Sequence, residues 1–107
     1  MDMGSEEVKN GALVCLAICA ADGFISIDEE EVLEAKFETH FNVTKTEFQK
    51  IIDFFFESSS QIETFLEGVH QKKLKHQILN IAKEAAAADG LDITENIAWN
   101  KCKAYWD

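Results

Sequence analysis

Proline is absent from the 107 residues and glycine occurs five times, so few positions force the chain out of a helix. The strict alternation of apolar and polar residues that predicts strands is also missing. Four capping-box patterns, in which Ser, Thr or Asp precedes Glu by three residues, mark helix starts at 26–29, 44–47, 60–63 and 92–95. We therefore predict an all-α fold, a compact helical bundle of about six helices.

The periodicity of apolar residues gives approximate bounds for these helices. They are 6–21, 27–41, 45–57, 61–69, 71–88 and 93–106, within one domain that spans 1–107 and has 1–5 as a disordered tail. The third helix is the most apolar, because Phe48, Ile51, Ile52, Phe55 and Phe56 cover more than half of its circumference. We expect it to be the central, most buried helix.

Cysteine is scarce and shows no pairing motif. Cys15, Cys19 and Cys102 form no CxxC, and an odd number cannot all pair within one chain. We expect buried free thiols that pack as small hydrophobes, as in the reducing cytoplasm. No run reaches the ~18 apolar residues that span a bilayer. The acidic segment ahead of the apolar stretch 13–21 argues against a signal peptide, so we expect a cytoplasmic protein without membrane insertion.

Basic residues are half as numerous as acidic ones, 10 against 20, which gives a formal net charge of −10 at pH 7. This charge repels nucleic acid and anionic membranes, so proteins and metal cations are the expected partners. The stretch 72–76, KKLKH, is locally basic; it either solvates a helix face or docks an acidic segment of a partner. Trp99 and Trp106 are expected in core and rim packing, and an exposed Trp99 would be a hot spot for a partner.

Catalytic motifs are also missing. The sequence contains no GxSxG, P-loop or GxGxxG, and His40, His70 and His76 do not have the spacing of zinc ligands. We therefore expect no enzyme. A hydrolase that uses a metal held by carboxylates is the remaining catalytic alternative.

Two stretches of the chain repeat one pattern. Residues 20–29 read AADGFISIDE and residues 87–95 read AADGLDITE, and each follows an alanine-rich apolar segment. The repeat predicts two helix-turn-helix units, whose alanine-rich helices cross closely in a pseudo-twofold arrangement. The inserted third and fourth helices would pack across them.

The first copy matches the second half of an EF-hand loop, with Asp22 and Glu29 in ligand positions and Gly23 at the turn. The first half does not match, because Ile18 and Ala20 offer no side-chain oxygen. Calcium requires ~6–8 oxygen ligands, so a working EF-hand is not expected.

Two interpretations of the aspartates remain open. In one, the glycines end helices at positive φ, and Asp22 and Asp89 accept hydrogen bonds within the turns. In the other, Asp22, Glu29, Asp89 and Glu95 converge on a hard divalent cation, which is the one cofactor that the sequence suggests.

The paired Ala-Asp-Gly turns, each followed by a capping Ser or Asp and then Glu, resemble the TerB family of tellurite-resistance proteins over about 12–103. Residues 21–29 fit the family pattern at every position, and the second copy is one residue shorter between Gly90 and Glu95. The resemblance implies a domain of six or seven helices, in the cytoplasm or at the inner membrane surface. It also implies acidic residues that bind metal, a role in metal-oxyanion or general stress response, and an accessory module beside other proteins.

These observations favour a non-catalytic, TerB-like stress-response module associated with tellurite resistance, which binds a divalent metal through its acidic turns. The alternative is a metal-free protein-interaction adaptor in which the Asp-Gly turns are purely structural. The sequence indicates no oligomeric state.

Overall fold

A computed structural model describes residues 4–58, 61–88, 90 and 93–107, apart from the side chains of residues 4, 5 and 22. Within these ranges the chain forms six α-helices and no strand, which confirms the predicted all-α bundle. No described helix is long and apolar enough to cross a bilayer. The helices are α1 (Gly4–Cys19), α2 (Ile27–Phe41), α3 (Lys45–Glu57), α4 (Ile62–Glu67), α5 (Lys72–Ala87) and α6 (Ile93–Trp106), and a short 3-10 turn, Ala20–Asp22, follows α1.

The predicted bounds of α2, α3 and α6 are confirmed, and capping residues mark where α2 and α3 begin. At the start of α3, the amide of Glu47 donates to Thr44 Oγ1 at 3.1 Å, and Glu47 Oε1 accepts from the Thr44 amide at 2.9 Å. The predicted caps Ser60 and Asp92 lie outside the described residues, and α4 has Gln61 as an N-cap without a side-chain bond. Helix α1 begins at Gly4, inside the expected tail, of which residues 1–3 lie outside the described ranges.

The central helix is α1, and the expectation that α3 would be central is wrong. Helix α1 packs against all five other helices, whereas α3 packs against α1 and α2. As a result Phe54 is 42% exposed and Phe56 is 62% exposed. The physical reason is size: the alanines and cysteines of α1 let neighbours approach from several sides, while the broad aromatic surface of α3 exceeds what two neighbours can cover.

Helices α1 and α5 pack closely at Gly11, which lies ahead of the alanine-rich stretch on which the predicted crossing rested. A Cβ added to Gly11 would lie 2.8 Å from Ile78 Cγ1, and closer still to Cδ1, so the crossing has no room for a side chain at Gly11. Helix α2 packs on α5, and α6 packs on α1 and on the 3-10 turn, while α3 packs on α1 and α2 and α4 packs on α1 and α6. The predicted pseudo-twofold arrangement of the two helix-turn-helix units stays a prediction.

The three cysteines are free and buried, as predicted. Burial raises the pKa of the Cys15 thiol well above its ordinary value of 9.0, and the neighbouring Cys19 and Cys102 add to the effect. Burial also raises the pKa of Cys102 to about 11. The neutral thiols therefore serve as small apolar groups in the core.

Glu7 joins the first turn of α1 to the segment that leads into α5. Its Oε1 accepts hydrogen bonds from the amides of His70 at 2.8 Å and Gln71 at 3.2 Å, and its Oε2 accepts from Gln71 Nε2 at 3.1 Å. These bonds favour the ionised carboxylate, and the bond from the His70 amide is the largest cause of the lowered pKa of Glu7. Glu7 thereby fixes the start of α5 against the central helix.

Candidate functional site

The first Ala-Asp-Gly turn ends α1 through its glycine. The Gly23 amide donates to the Ala20 carbonyl at 2.9 Å, and Gly23 has φ 110°, in the left-handed region that glycine adopts without strain. A Cβ at Gly23 would meet nothing within 4 Å, so backbone conformation, not space, requires the glycine. The side chain of Asp22 lies outside the described part of the structure.

Glu29 forms a complete capping box at the start of α2. The Ser26 amide donates to Glu29 Oε1 at 2.9 Å, and the Glu29 amide donates to Ser26 Oγ at 3.1 Å. The side chain of Glu29 is only 3% exposed. The box predicted from the sequence is therefore confirmed, and one carboxylate oxygen of this candidate metal ligand already has a structural role.

The second turn repeats the hydrogen bond of the first. The Gly90 amide donates to the Ala87 carbonyl at 3.1 Å, and Gly90 also has positive φ, at 81°. This is the same three-residue closure as in the first turn, so the two glycines have equivalent roles. The candidate ligand Asp89 lies outside the described residues.

Glu95 occupies the position in α6 that Glu29 occupies in α2. Each is the third residue of its helix, so the one-residue difference between the two copies falls ahead of the helix and leaves the helix position unchanged. Glu95 is 2% exposed, and these two glutamates are the buried charged residues among those described. The repeat at the level of sequence thus extends to the placement of two buried carboxylates.

The fold also brings parts of the two motifs into contact, since the 3-10 turn of the first copy packs on α6, which carries Glu95. Among the described residues, no group of three or more His, Cys, Asp or Glu side chains is placed to hold a metal ion. The side chains of Asp22 and Asp89, two of the four predicted ligands, lie outside that part of the structure. In donor chemistry, the carboxylates of Glu29 and Glu95 suit a hard cation such as calcium, magnesium or manganese.

The start of an EF-hand loop is replaced by helix. Residues 18 and 19 belong to α1, and Ile18 is fully buried. The sequence-based exclusion of an EF-hand therefore agrees with the backbone.

A second candidate site is an open groove between α5 and α6, with a volume of about 630 Å³. Three lysines line its rim and the two tryptophans line its floor. We call it the lysine-tryptophan groove, and six of its lining residues are Lys72, Lys75, Leu79, Trp99, Lys103 and Trp106. It joins the basic stretch 72–76 to the two tryptophans, which the sequence singled out separately. The contribution of Lys103 was missed, although it lies one helical turn after Trp99 on α6.

Comparison of the chain with family models, with curated proteins and with solved structures found no match. The TerB-like assignment stays a prediction that the repeated motif supports.

Proposed function

We propose that this chain is a non-catalytic, TerB-like stress-response module whose two Asp-Gly turns form one divalent-metal site shared between the repeats. The observation that supports this proposal is the equivalent burial of Glu29 and Glu95 at the third position of the helix after each turn. A carboxylate removed from water requires hydrogen bonds or a cation to compensate for the lost hydration. Asp22 and Asp89 complete the proposed ligand set on the strength of the sequence pattern.

The donor set determines which ions are expected. Carboxylate oxygens are preferred by calcium, magnesium and manganese, whereas zinc favours sites with histidine and cysteine. In this proposal Asp22 and Asp89 supply charge from the turns, and Glu29 and Glu95 supply it from the first turns of α2 and α6. The bound ion would fasten the two repeats together and add to the stability of the folded state.

The second candidate is a metal-free protein-interaction adaptor, and the capping box favours it. Glu29 Oε1 already accepts from the Ser26 amide at 2.9 Å, and both turns close through glycine amides. Those bonds account for Glu29 and for the two glycines without a cation. In this candidate the turns are structural and the protein acts through its surface.

Thermal unfolding of metal-stripped protein separates the two candidates. Calcium, magnesium, manganese and zinc are titrated separately into the wild type, into Asp22→Asn/Asp89→Asn, and into the control Asp53→Asn/Glu57→Gln. The control changes two exposed carboxylates of α3 and removes the same charge. If the proposal is correct, a hard cation at about 100 times its Kd stabilises the wild type and the control by ~2.7 kcal/mol. That corresponds to roughly ten degrees or more in Tm for a domain of this size.

The asparagine variant should lose this shift. If no ion raises Tm at millimolar concentration, or if all three proteins shift equally, the metal site at the turns is wrong and the adaptor remains. The stress-response part is tested by survival of the source cells in tellurite with the gene present or deleted. If cells with and without the gene survive equally well, both in tellurite and in other metal oxyanions, the stress-response part is contradicted.

A further inference from the structure

The lysine-tryptophan groove concentrates positive charge on a chain whose formal net charge is −10. We propose that this groove binds an acidic segment of a partner protein, with carboxylates on the lysines and one apolar side chain of the segment on the indole rings. The inference is independent of the metal proposal, because the groove and the two turns share no residue.

The floor of the groove is held in place by hydrogen bonds. Trp99 Nε1 donates to the Leu79 carbonyl at 2.8 Å, and Trp106 Nε1 donates to the Leu66 carbonyl at 2.9 Å. Since both indole donors are used within the protein, the rings are held in a fixed orientation, partly buried against the core, and only their carbon atoms remain for contact with a ligand. A rigid aromatic floor loses little conformational entropy on binding, which favours its use as an anchor site.

The rim provides ammonium groups above that floor. Lys103 Nζ lies 5.8 Å from the centroid of the Trp99 ring, and Lys83 Nζ, which contacts the same ring from outside the groove lining, lies 4.8 Å from it. Lys72 and Lys75 add two more ammonium groups along α5. Within the described part of the structure, the one ion pair joins Lys36 to Glu84. None of these four lysines is therefore paired with a described carboxylate. Their charge is therefore available to carboxylates of a partner.

The charge of the groove is specific to it and does not follow from its shape. A second groove of similar volume, about 650 Å³, lies where α1 and α3 meet and contains Phe54 in its lining. Its charged lining is balanced, with Lys9 and Lys50 against Glu6 and Glu47. By contrast, the lysine-tryptophan groove has Asp107 as its one acidic residue among the described lining residues.

A short acidic peptide fits these features better than a nucleic acid does. The phosphate backbone of a nucleic acid extends far beyond one groove, and the strongly acidic remainder of the protein would repel it. A short segment places its carboxylates on the lysines only. The aromatic floor also favours a peptide, because an apolar side chain such as Leu or Phe can pack against the indoles.

Intrinsic fluorescence reads out this site directly, because the chain contains two tryptophans and both line the groove. The probe is a short peptide with glutamates on both sides of a central Leu-Phe pair. It is compared with a peptide in which glutamine replaces every glutamate, with one in which Ser-Ser replaces Leu-Phe, and with single-stranded oligonucleotide. We expect the acidic Leu-Phe peptide to change tryptophan emission saturably, to bind more tightly than the other three ligands, and to weaken as salt rises.

Two charge-reversal variants test the location. The groove variant is Lys72→Glu/Lys103→Glu, and its control is Lys73→Glu/Lys101→Glu, which makes the same change on the same two helices at exposed residues outside the groove. The groove variant should lose about tenfold in affinity, while the control should stay within a factor of about two of the wild type. Circular dichroism confirms that each variant is folded.

A measurement on the unmodified protein makes the test independent of the variants. Amide chemical-shift changes on adding the acidic peptide should cluster on α5 and α6 around the groove, and not on α1 and α3 around Phe54. Equal binding of the glutamine peptide, equal weakening in both charge variants, shift changes centred on the second groove, or tighter binding of the oligonucleotide would each overturn the proposal. Loss of the metal response at the turns would leave these results unchanged, so the two proposals fail separately.

Discussion

Replacing Gly11 with alanine is expected to destabilise the protein, although alanine favours the helix interior over glycine by about 1 kcal/mol. Gly11 lies inside α1 where that helix crosses α5, and an added Cβ would lie 2.8 Å from Ile78 Cγ1. Ile78 is completely buried, so its side chain has little space into which to move. Overpacking of this kind costs ~1–3 kcal/mol. Subtracting the gain in helix propensity from this cost predicts that the free energy of unfolding falls by about 1 kcal/mol.

Equilibrium urea unfolding followed by circular dichroism measures this loss as a lower midpoint with an unchanged m-value. The thermal midpoint should fall by roughly 4–8 °C per kcal/mol. The matched control is Gly68→Ala, whose Cβ would lie 2.5 Å from Asn10 Cγ. The Asn10 side chain is half-buried, and rotating it away breaks one exposed hydrogen bond, from Nδ2 to the Glu6 carbonyl at 3.0 Å, so this second substitution should cost less than Gly11→Ala.

Shortening the opposing side chain should relieve part of the crowding, because the nearest atom, Cδ1, is removed while Cγ1 remains. Ile78→Val removes Cδ1 and alone costs ~0.5–1.5 kcal/mol. In the double variant Gly11→Ala/Ile78→Val, the loss should be smaller than the sum of the two single losses by about 1 kcal/mol. If Gly11→Ala stabilises the protein, or if the two losses simply add, the packing explanation for Gly11 is refuted.

Two further predictions concern titratable groups. The folded pKa of Glu7 is lowered from its ordinary value of 4.5, so its stabilising effect is present above the unfolded pKa and is lost as pH falls through the folded pKa. The stability difference between wild type and Glu7→Gln, measured by urea unfolding across acid and neutral pH, should therefore shrink in acid; a constant difference would contradict the role of these hydrogen bonds. Cys15 and Cys102 have raised pKa values, about 11 for Cys102, so iodoacetamide at neutral pH should label native protein far more slowly than urea-unfolded protein. Rapid native labelling, followed by mass spectrometry, would refute their burial as neutral thiols.

The helices were predictable from sequence where local signals mark both ends. Capping residues begin α2 and α3, and α2 ends at Asn42, which has φ 59° in the left-handed region. These signals act within a few residues, so they do not depend on the rest of the fold. Which helix is the most central and the most buried was not predictable in the same way. Phe54 and Phe56 are exposed because α3 has two neighbouring helices, and that number is a property of the whole packing.

The same distinction between local signals and the packing of the whole fold applies to the candidate sites. The positions of Glu29 and Glu95 followed from the repeat, since a capping glutamate falls at the third residue of its helix. The lysine-tryptophan groove did not follow, because Lys75 and Trp99 lie on different helices and meet only through the angle between α5 and α6. Sequence periodicity describes the faces of single helices and does not contain that angle.

The crossing of α1 with α5 has a consequence for how the protein is made. Helix α1 packs most extensively on α5, yet residues 20–71 separate the two in the chain. At ~5–20 residues per second on the ribosome, α1 waits several seconds before α5 has been synthesised. During that interval α2, α3 and α4 become available to pack on α1, but the part of its surface that α5 covers in the folded protein stays exposed to aggregation until translation reaches α5.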